Sequence, residues 1–344
     1  MAIPTMTIAD DYMSIYQDMQ MTIGLPGPSE QPLPYTKGMT VDALAGFDIF
    51  YIDRSYVKMG SDFNMTNDAA GVISFTTSSG GLVKLVNFEK IEFPGSPASI
   101  NLGTSGPDTV TGGPGNDRFL YGLDNNDTIG GGDGNDLLNG GPGGDILDGG
   151  VGNDTASYAF ALKTGTNLGV TVSLDGTLVK TGEAVGDTLI AIENLTGSAF
   201  NDKLKGNTVA NQLYGMKGAD VLTGGGAADK FIYKFVAESA GTNIDKIMDF
   251  SKAQGDKIDV SLVDANSTLA GNQSFTSLIS ATATFSKPGQ YRLKHFNAGT
   301  VAGIPGAGWK VDFNINTTST AEMTIYIQTK DSFVNNTTTP WFVP

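Results

Sequence analysis

The chain of 344 residues has no cysteine, a single histidine (His295) and two tryptophans. Without cysteine there is no disulfide framework and no thiolate chemistry, a composition common in secreted proteins that never pass through a disulfide-forming compartment. One histidine falls short of the ligand set of a catalytic zinc centre, so a zinc protease is excluded on residue count. No Gly-x-Ser-x-Gly elbow occurs, which removes a serine lipase. His295 follows Tyr291-Arg-Leu-Lys between two expected strands and reads as a surface or packing residue. Basic residues are scarce, 21 against 36 acidic, giving a net charge of -15. That balance argues against nucleic acid or an anionic membrane as partner. No apolar run reaches the length of a membrane-spanning helix. The start, Met1 to Asp11, lacks a basic region and a long apolar run, so an export address is expected elsewhere than at the N-terminus.

What the chain has in excess is glycine and aspartate, and they are concentrated. Between Gly103 and Asp154 lie 17 glycines and nine aspartates, with no glutamate and one basic residue, Arg118. This stretch alone supplies eight of the fifteen excess negative charges. A repeat explains it. Gly112-Gly-Pro-Gly-Asn-Asp117, Gly131-Gly-Asp-Gly-Asn-Asp136, Gly140-Gly-Pro-Gly-Gly-Asp145 and Gly149-Gly-Val-Gly-Asn-Asp154 share one pattern, preceded by a degenerate copy ending at Asp108. The aspartates at 127, 136, 145 and 154 fall nine apart, and the step from Asp117 to Asp127 carries one extra residue. A second array keeps the same step at Asp202, Asn211, Asp220 and Asp229, with asparagine in one aspartate position.

Nine residues divide into a six-residue turn and a three-residue strand. Two units, eighteen residues, bring the chain back to its starting side, so successive coils stack as a parallel β-roll. Glycine permits positive φ and close backbone approach in the turn. Each aspartate then faces the turn one coil away, pairing Asp127 with Asp145, Asp136 with Asp154 and Asp202 with Asp220, with Asp108 and Asp117 facing Asp127 and Asp136. The middle residue of each strand triplet (Val110, Ile129, Leu138, Leu147) is expected to point inward. Carboxylates and carbonyls from two stacked turns match a hard cation that takes six to eight oxygens, namely calcium. The expected metal residues are Asp108, Gly113, Gly115, Asp117, Asp127, Gly132, Gly134, Asp136, Gly141, Gly143, Asp145, Gly150, Gly152 and Asp154 in the first array. Asp202, Asp220 and Asp229 complete the set in the second. An EF-hand does not fit, because Asp124-Asn-Asn-Asp127 is followed by Ile129 where the loop needs glycine.

Flanking regions read differently. Residues 1–100 carry short apolar alternations (Phe47 to Ile52, Val72 to Phe75, Val83 to Phe88, Lys90 to Phe93) that predict antiparallel strands, with a short helix expected near Asp10 to Gln20. Between the arrays, Val170 to Leu174 and Leu178 to Lys180 either continue the stack or form a hairpin. After Tyr233, Trp309 to Ile315 and Met323 to Gln328 read as strands, and Phe250, Phe275 and Phe285 as core.

The repeats resemble those of the RTX, or hemolysin-type calcium-binding, family. Phe231-Ile-Tyr, Ile244-Asp-Lys-Ile-Met-Asp-Phe250, Gly255-Asp-Lys-Ile-Asp259, Asp264-Ala-Asn266 and Ala270-Gly-Asn-Gln-Ser-Phe275 resemble the C-terminal domain of serralysin-type proteases, with the protease domain lacking. The resemblance implies secretion through a type I ABC transporter on a C-terminal signal. It also implies a further calcium at Asp249, Asp256 and Asp259, residues that could equally cap strand ends. The expectation is an all-β protein of three parts: a β-rich region over 1–100, a β-roll over 101–235 (arrays 103–158 and 197–233) and a serralysin-like domain over 236–344. Its expected role is that of a secreted, non-enzymatic calcium-binding protein of the cell surface, matrix or surface layer, self-assembling there. A polysaccharide-binding adhesin, or a polysaccharide-acting enzyme, is the alternative.

Overall fold

The structure is a computed structural model that describes residues 101–103, 106–117, 119–161, 169–269 and 272–329, Leu102 by its backbone alone, together with the backbone of the strands between 5 and 100 and at 342–343. The chain divides into two compact units, residues 1–156 with 186–192, and residues 157–185 with 193–344. Among the described residues, helical structure is confined to two 3-10 turns, Gly182–Ala184 and Val236–Ser239. The fold is all-β.

In the first unit, two stacks of short parallel strands form the roll. One stack runs Thr109–Thr111, Thr128–Asp133, Ile146–Val151, Thr188–Ile190, and the other Ser99–Leu102, Phe119–Tyr121, Leu137–Asn139, Thr155–Ser157. Register aligns the triplet centres: Val110 with Ile129 and Leu147, and Leu120 with Leu138 and Ala156. All six are buried, so the apolar residue expected to face inward does so. The extra residue after Asp117 is absorbed before the strand centre, since Leu120 still stands opposite Leu138. Between Ile146–Val151 and its neighbour Thr188–Ile190 the chain makes a much longer excursion, yet parallel pairing resumes in register.

The N-terminal strands depart from expectation in two ways. Tyr12–Tyr16 pairs antiparallel with Gln20–Gly24 where a short helix was expected; tyrosine and isoleucine there favour a pleated strand. The sheets are also mixed rather than antiparallel. Ile73–Thr76 does pair antiparallel with Leu82–Val86, but Ile49–Ile52 runs parallel to Tyr12–Tyr16 and to Lys90–Glu92. Parallel neighbours need a crossover of at least about a dozen residues, and residues 53 to 89 supply one.

In the second unit the parallel stacks are Thr171–Ser173, Lys203–Lys205, Val221–Thr223, Asp245–Ile247 on one face and Asn194–Thr196, Gln212–Tyr214, Lys230–Ile232, Lys257–Asp259 on the other. Val172, Leu204, Leu222 and Ile247 form one buried ladder, and Leu195, Leu213, Phe231 and Ile258 the other. The inter-array segment thus continues the stack at Thr171–Ser173. Residues Leu178 to Lys180 do not form a strand, and a single bridge from Thr171 to Thr181 closes that excursion. Asp245–Ile247 also pairs parallel with Met323–Gln328, which leads through Gly308–Asn314 to Gln290–Phe296 in an antiparallel meander. Phe250, Phe275 and Phe285 are buried in this unit, as expected of core residues.

Candidate metal centre

The repeat turns have the backbone that their glycines anticipate. Gly132 and Gly134 sit at φ +100 and +127, where an L side chain is strained. Gly141 and Gly150 share this left-handed region. Other glycines are there for space: a β-carbon on Gly152 would overlap the carbonyl oxygen of Gly134, and one on Gly143 that of Asn125. Gly113 and Gly115 lie against the coil above, since β-carbons on Gly132 and Gly134 would press on their carbonyls. The left-handed conformation persists where glycine has been replaced. Leu123 and Asn125 hold φ +76, Met216 +68 and Ala227 +64.

The aspartates form a ladder through the backbone. The N–H of Asp127 donates to Asp145 Oδ1 at 2.9 Å, that of Asp136 to Asp154 Oδ1 at 2.8 Å, and that of Asp202 to Asp220 Oδ1 at 2.8 Å. Those are the three pairs expected from the eighteen-residue step. Asp108 and Asp117 join in the same way, donating to Asp127 and Asp136 at 2.8 and 2.7 Å. Asp229 accepts from Asn211 at 2.9 Å. A second ladder of opposite polarity runs beside the first. Asn135 donates its N–H to Asn116 Oδ1 and Asn153 to Asn135 Oδ1, so each coil is tied to the next in both directions.

Asp127, Asp136, Asp145, Asp220 and Asp229 each spend Oδ1 on such a bond, or on its equivalent from the preceding coil, and leave Oδ2 buried without a hydrogen-bond partner, whereas Oδ2 of Asp117 and Asp202 accepts an N–H within its own turn. An unpaired buried carboxylate oxygen is costly, and five of them on the aspartate ladders of the two arrays point to a missing positive partner. The pKa shifts tell the same story. Burial, opposed by the backbone N–H and reinforced by the neighbouring aspartates, pushes Asp127 up to about 7 and Asp136 to about 6. Burial also raises Asp229 to about 7 and Asp202 to about 6, and lifts Asp145, Asp220 and Asp245. Asp220 and Asp245 are both fully buried; the Asp245 carboxylate adds to the rise at Asp220, while Asp245 is raised first by its burial and then by the charges of Glu238 and Asp202.

Residues present here fit a hard cation. Asp127 Oδ2 and the carbonyl oxygen of Gly140 crowd the first glycine of their turn, Gly122, and Asp136 Oδ2 and the carbonyl of Gly149 crowd Gly131 in the same manner. Among the described residues, no group of three or more acidic or histidine side chains gathers at one point. The donor set is therefore one carboxylate per turn plus backbone carbonyls, all oxygen, which suits calcium and excludes zinc or copper.

Three ladder positions escaped the nine-residue count. Asp145 donates its N–H to Asp187 Oδ1, Asp220 to Asp245 Oδ1 and Asp229 to Asp256 Oδ1, at 2.9, 2.9 and 3.0 Å. Insertions hide their spacing. The local signal was available all the same: each is followed by x-apolar (Thr-Leu189, Lys-Ile247, Lys-Ile258), the strand triplet of the repeat. Of the three aspartates named by resemblance, Asp249 accepts the N–H groups of Gly224 and Gly225. Asp259 accepts from Ser261. Asp256 accepts from Asp229 and Ser251. Asp249 and Asp259 have the bonding of caps, while Asp256 holds a ladder position and also accepts Ser251 N–H. A separate cleft of about 800 Å³ in the second unit is lined by Met248, Asp249, Phe250, His295, Trp309 and Gln328 among others. His295 packs edge-on against Trp309 at 5.2 Å between ring centroids.

Comparison with known families agrees with the geometry. The model described as RTX calcium-binding nonapeptide repeat (4 copies) matches residues 102–127 and 121–156. The model described as Peptidase M10 serralysin C terminal matches residues 187–331. No curated protein matches the chain. A repeat ladder of facing aspartates together with these matches places RTX calcium-binding repeats over residues 102–156 and a serralysin C-terminal domain over residues 187–331, which supports a calcium-binding, type I secreted protein.

Proposed function

We propose that this is a non-enzymatic extracellular protein whose roll folds on calcium after export and which then assembles at the cell surface, in matrix or as a surface layer. The reading treats residues 1–100, 101–235 and 236–344 as its three functional parts. The observation that carries it is the set of buried Oδ2 atoms without a hydrogen-bond partner at Asp127, Asp136 and Asp145 and again at Asp220 and Asp229. Calcium, when bound, supplies the positive charge and the six to eight coordination positions that these oxygens lack. The aspartates named at the sequence level would each contribute one carboxylate, and the repeat glycines would bring carbonyls close. The thin triplet core is the second support. Most strands of the roll bury a single apolar side chain, although Phe119–Tyr121 buries three; that is too little to offset aligned carboxylate repulsion by itself. In a compartment poor in calcium the roll therefore stays unfolded and able to thread a type I transporter.

The assembly reading is tested by calcium titration of the metal-stripped protein under light scattering. Particle growth at the calcium level that folds the roll supports it; a folded monomer at all calcium levels refutes it. One observation favours a second reading, a polysaccharide-binding module. The cleft at Trp309 offers an indole beside His295, Asp249 and Gln328, an apolar platform with polar groups around it. Retention on a glycan column that Trp309→Ala abolishes, with calcium-dependent folding intact, would select that reading over assembly.

A further inference from the structure

We infer that the rung at Asn211 is closed by its own amide and takes no calcium, so that the ladder of metal-holding carboxylates in the second array is interrupted by a metal-free rung before Asp229. This rests on the reading of the ladder aspartates as calcium ligands. Asn211 stands at a ladder position and is 1 % exposed. Its N–H donates to Asp229 Oδ1, as a ladder aspartate's would.

The side chain is what differs. Asn211 Oδ1 accepts the N–H of Asn207 at 2.8 Å, in the place where Asp117 Oδ2 accepts Gly113 N–H and Asp202 Oδ2 accepts Ser198 N–H. The amide nitrogen must then occupy the other place, where an aspartate puts the Oδ1 that accepts an N–H from eighteen residues earlier. There it donates to the carbonyl oxygen of Glu193 at 2.7 Å, also eighteen residues earlier. Both ends of the amide are satisfied, which fixes its orientation; a flipped amide would lose both bonds.

A hydrogen-bond donor now points at a backbone oxygen of the neighbouring coil, where an aspartate rung presents only acceptors. The rung is neutral and has no leftover oxygen. Its successor Asp229 does, as Oδ2 is buried and partnerless. Position 193, the ladder position one coil before, is glutamate and only half-buried. The Asn211 bond therefore ties Asn194–Thr196 to Gln212–Tyr214 with no metal required.

The test counts calcium on the full chain by isothermal titration and equilibrium dialysis. Asn211→Asp restores the repeat and is expected to raise the stoichiometry by one. Asn211→Ala should leave the stoichiometry unchanged, while Asp229→Asn should lower it by one. Unchanged stoichiometry in Asn211→Asp, or a loss of one in Asn211→Ala, would overturn the inference, the latter because Asn211 would then be a ligand through Oδ1. If the unaltered chain binds no calcium, the wider reading falls as well, an outcome separate from a calcium-binding chain whose count ignores residue 211.

Discussion

Asp127, Asp136 and Asp145 each hold one oxygen on a neighbouring coil's N–H and leave the other buried and without a hydrogen-bond partner. In the metal-free protein the proton is the substitute partner, and this sets a pH dependence. A carboxyl whose folded pKa stands above its unfolded 3.8 binds its proton more tightly when folded, so its contribution is full below about pH 4 and is lost as pH rises through the folded value. For Asp136 and Asp202 that value is about 6, for Asp127 and Asp229 about 7. Metal-stripped protein is therefore expected to gain β-structure by circular dichroism on acidification from pH 8 to pH 5; loss of structure over that range would contradict the assignment. Strain gives a second residue-scale prediction. Ala227 at φ +64 sits where the repeat prefers glycine, so Ala227→Gly should stabilise the calcium-loaded protein by about 1 kcal/mol in a thermal melt. These aspartate pairs were legible from the nine-residue spacing, which fixes which carboxylate meets which coil. Asp187, Asp245 and the closing bond of Asn211 were not, because insertions break the count and an amide's orientation depends on the groups around it.

At the scale of the element, most strands of three residues bury a single apolar side chain, so each core contact is a large share of its coil's burial. Leu138 is fully buried between Leu120 and Ala156. Leu138→Ala should cost about 2–5 kcal/mol and raise the calcium needed for half-folding. Gly152→Ala is expected to be as disruptive as any core change, since its β-carbon would overlap the Gly134 carbonyl of the adjacent coil. A dichroism titration of that variant showing the unaltered calcium midpoint would show the turn to be looser than described. The triplet strands and their inward residues could be read from the sequence because the turn glycines punctuate them. The N-terminal strands were read less well: alternation marks a strand but carries no information on its neighbour, so Ile49–Ile52 proved to run parallel to both of its partners. Tyr12–Tyr16 is too short for period alone to separate helix from strand.

At the scale of the whole molecule, more than half of the net charge of -15 lies in the first array, where it is a cation-holding device rather than a general solubility feature. The absence of cysteine and the acidic ladder together suit a chain that crosses to a calcium-rich exterior unfolded and folds there. The all-β class and the roll were legible because a repeat declares its own period; the mixed N-terminal sheets were not, because no repeat constrains them. Asp136→Ala combined with Asp154→Ala removes one facing pair of the ladder. The double variant should need several-fold more calcium to fold, in line with the loss of at least one carboxylate ligand set. The measurement that bears most directly on the account is a calcium titration of the metal-stripped full chain followed by circular dichroism, with magnesium as control. The account predicts a cooperative gain of β-structure with calcium, absent with magnesium and shifted to higher calcium in the double variant. A stripped protein already fully folded, and unchanged by calcium, would contradict it.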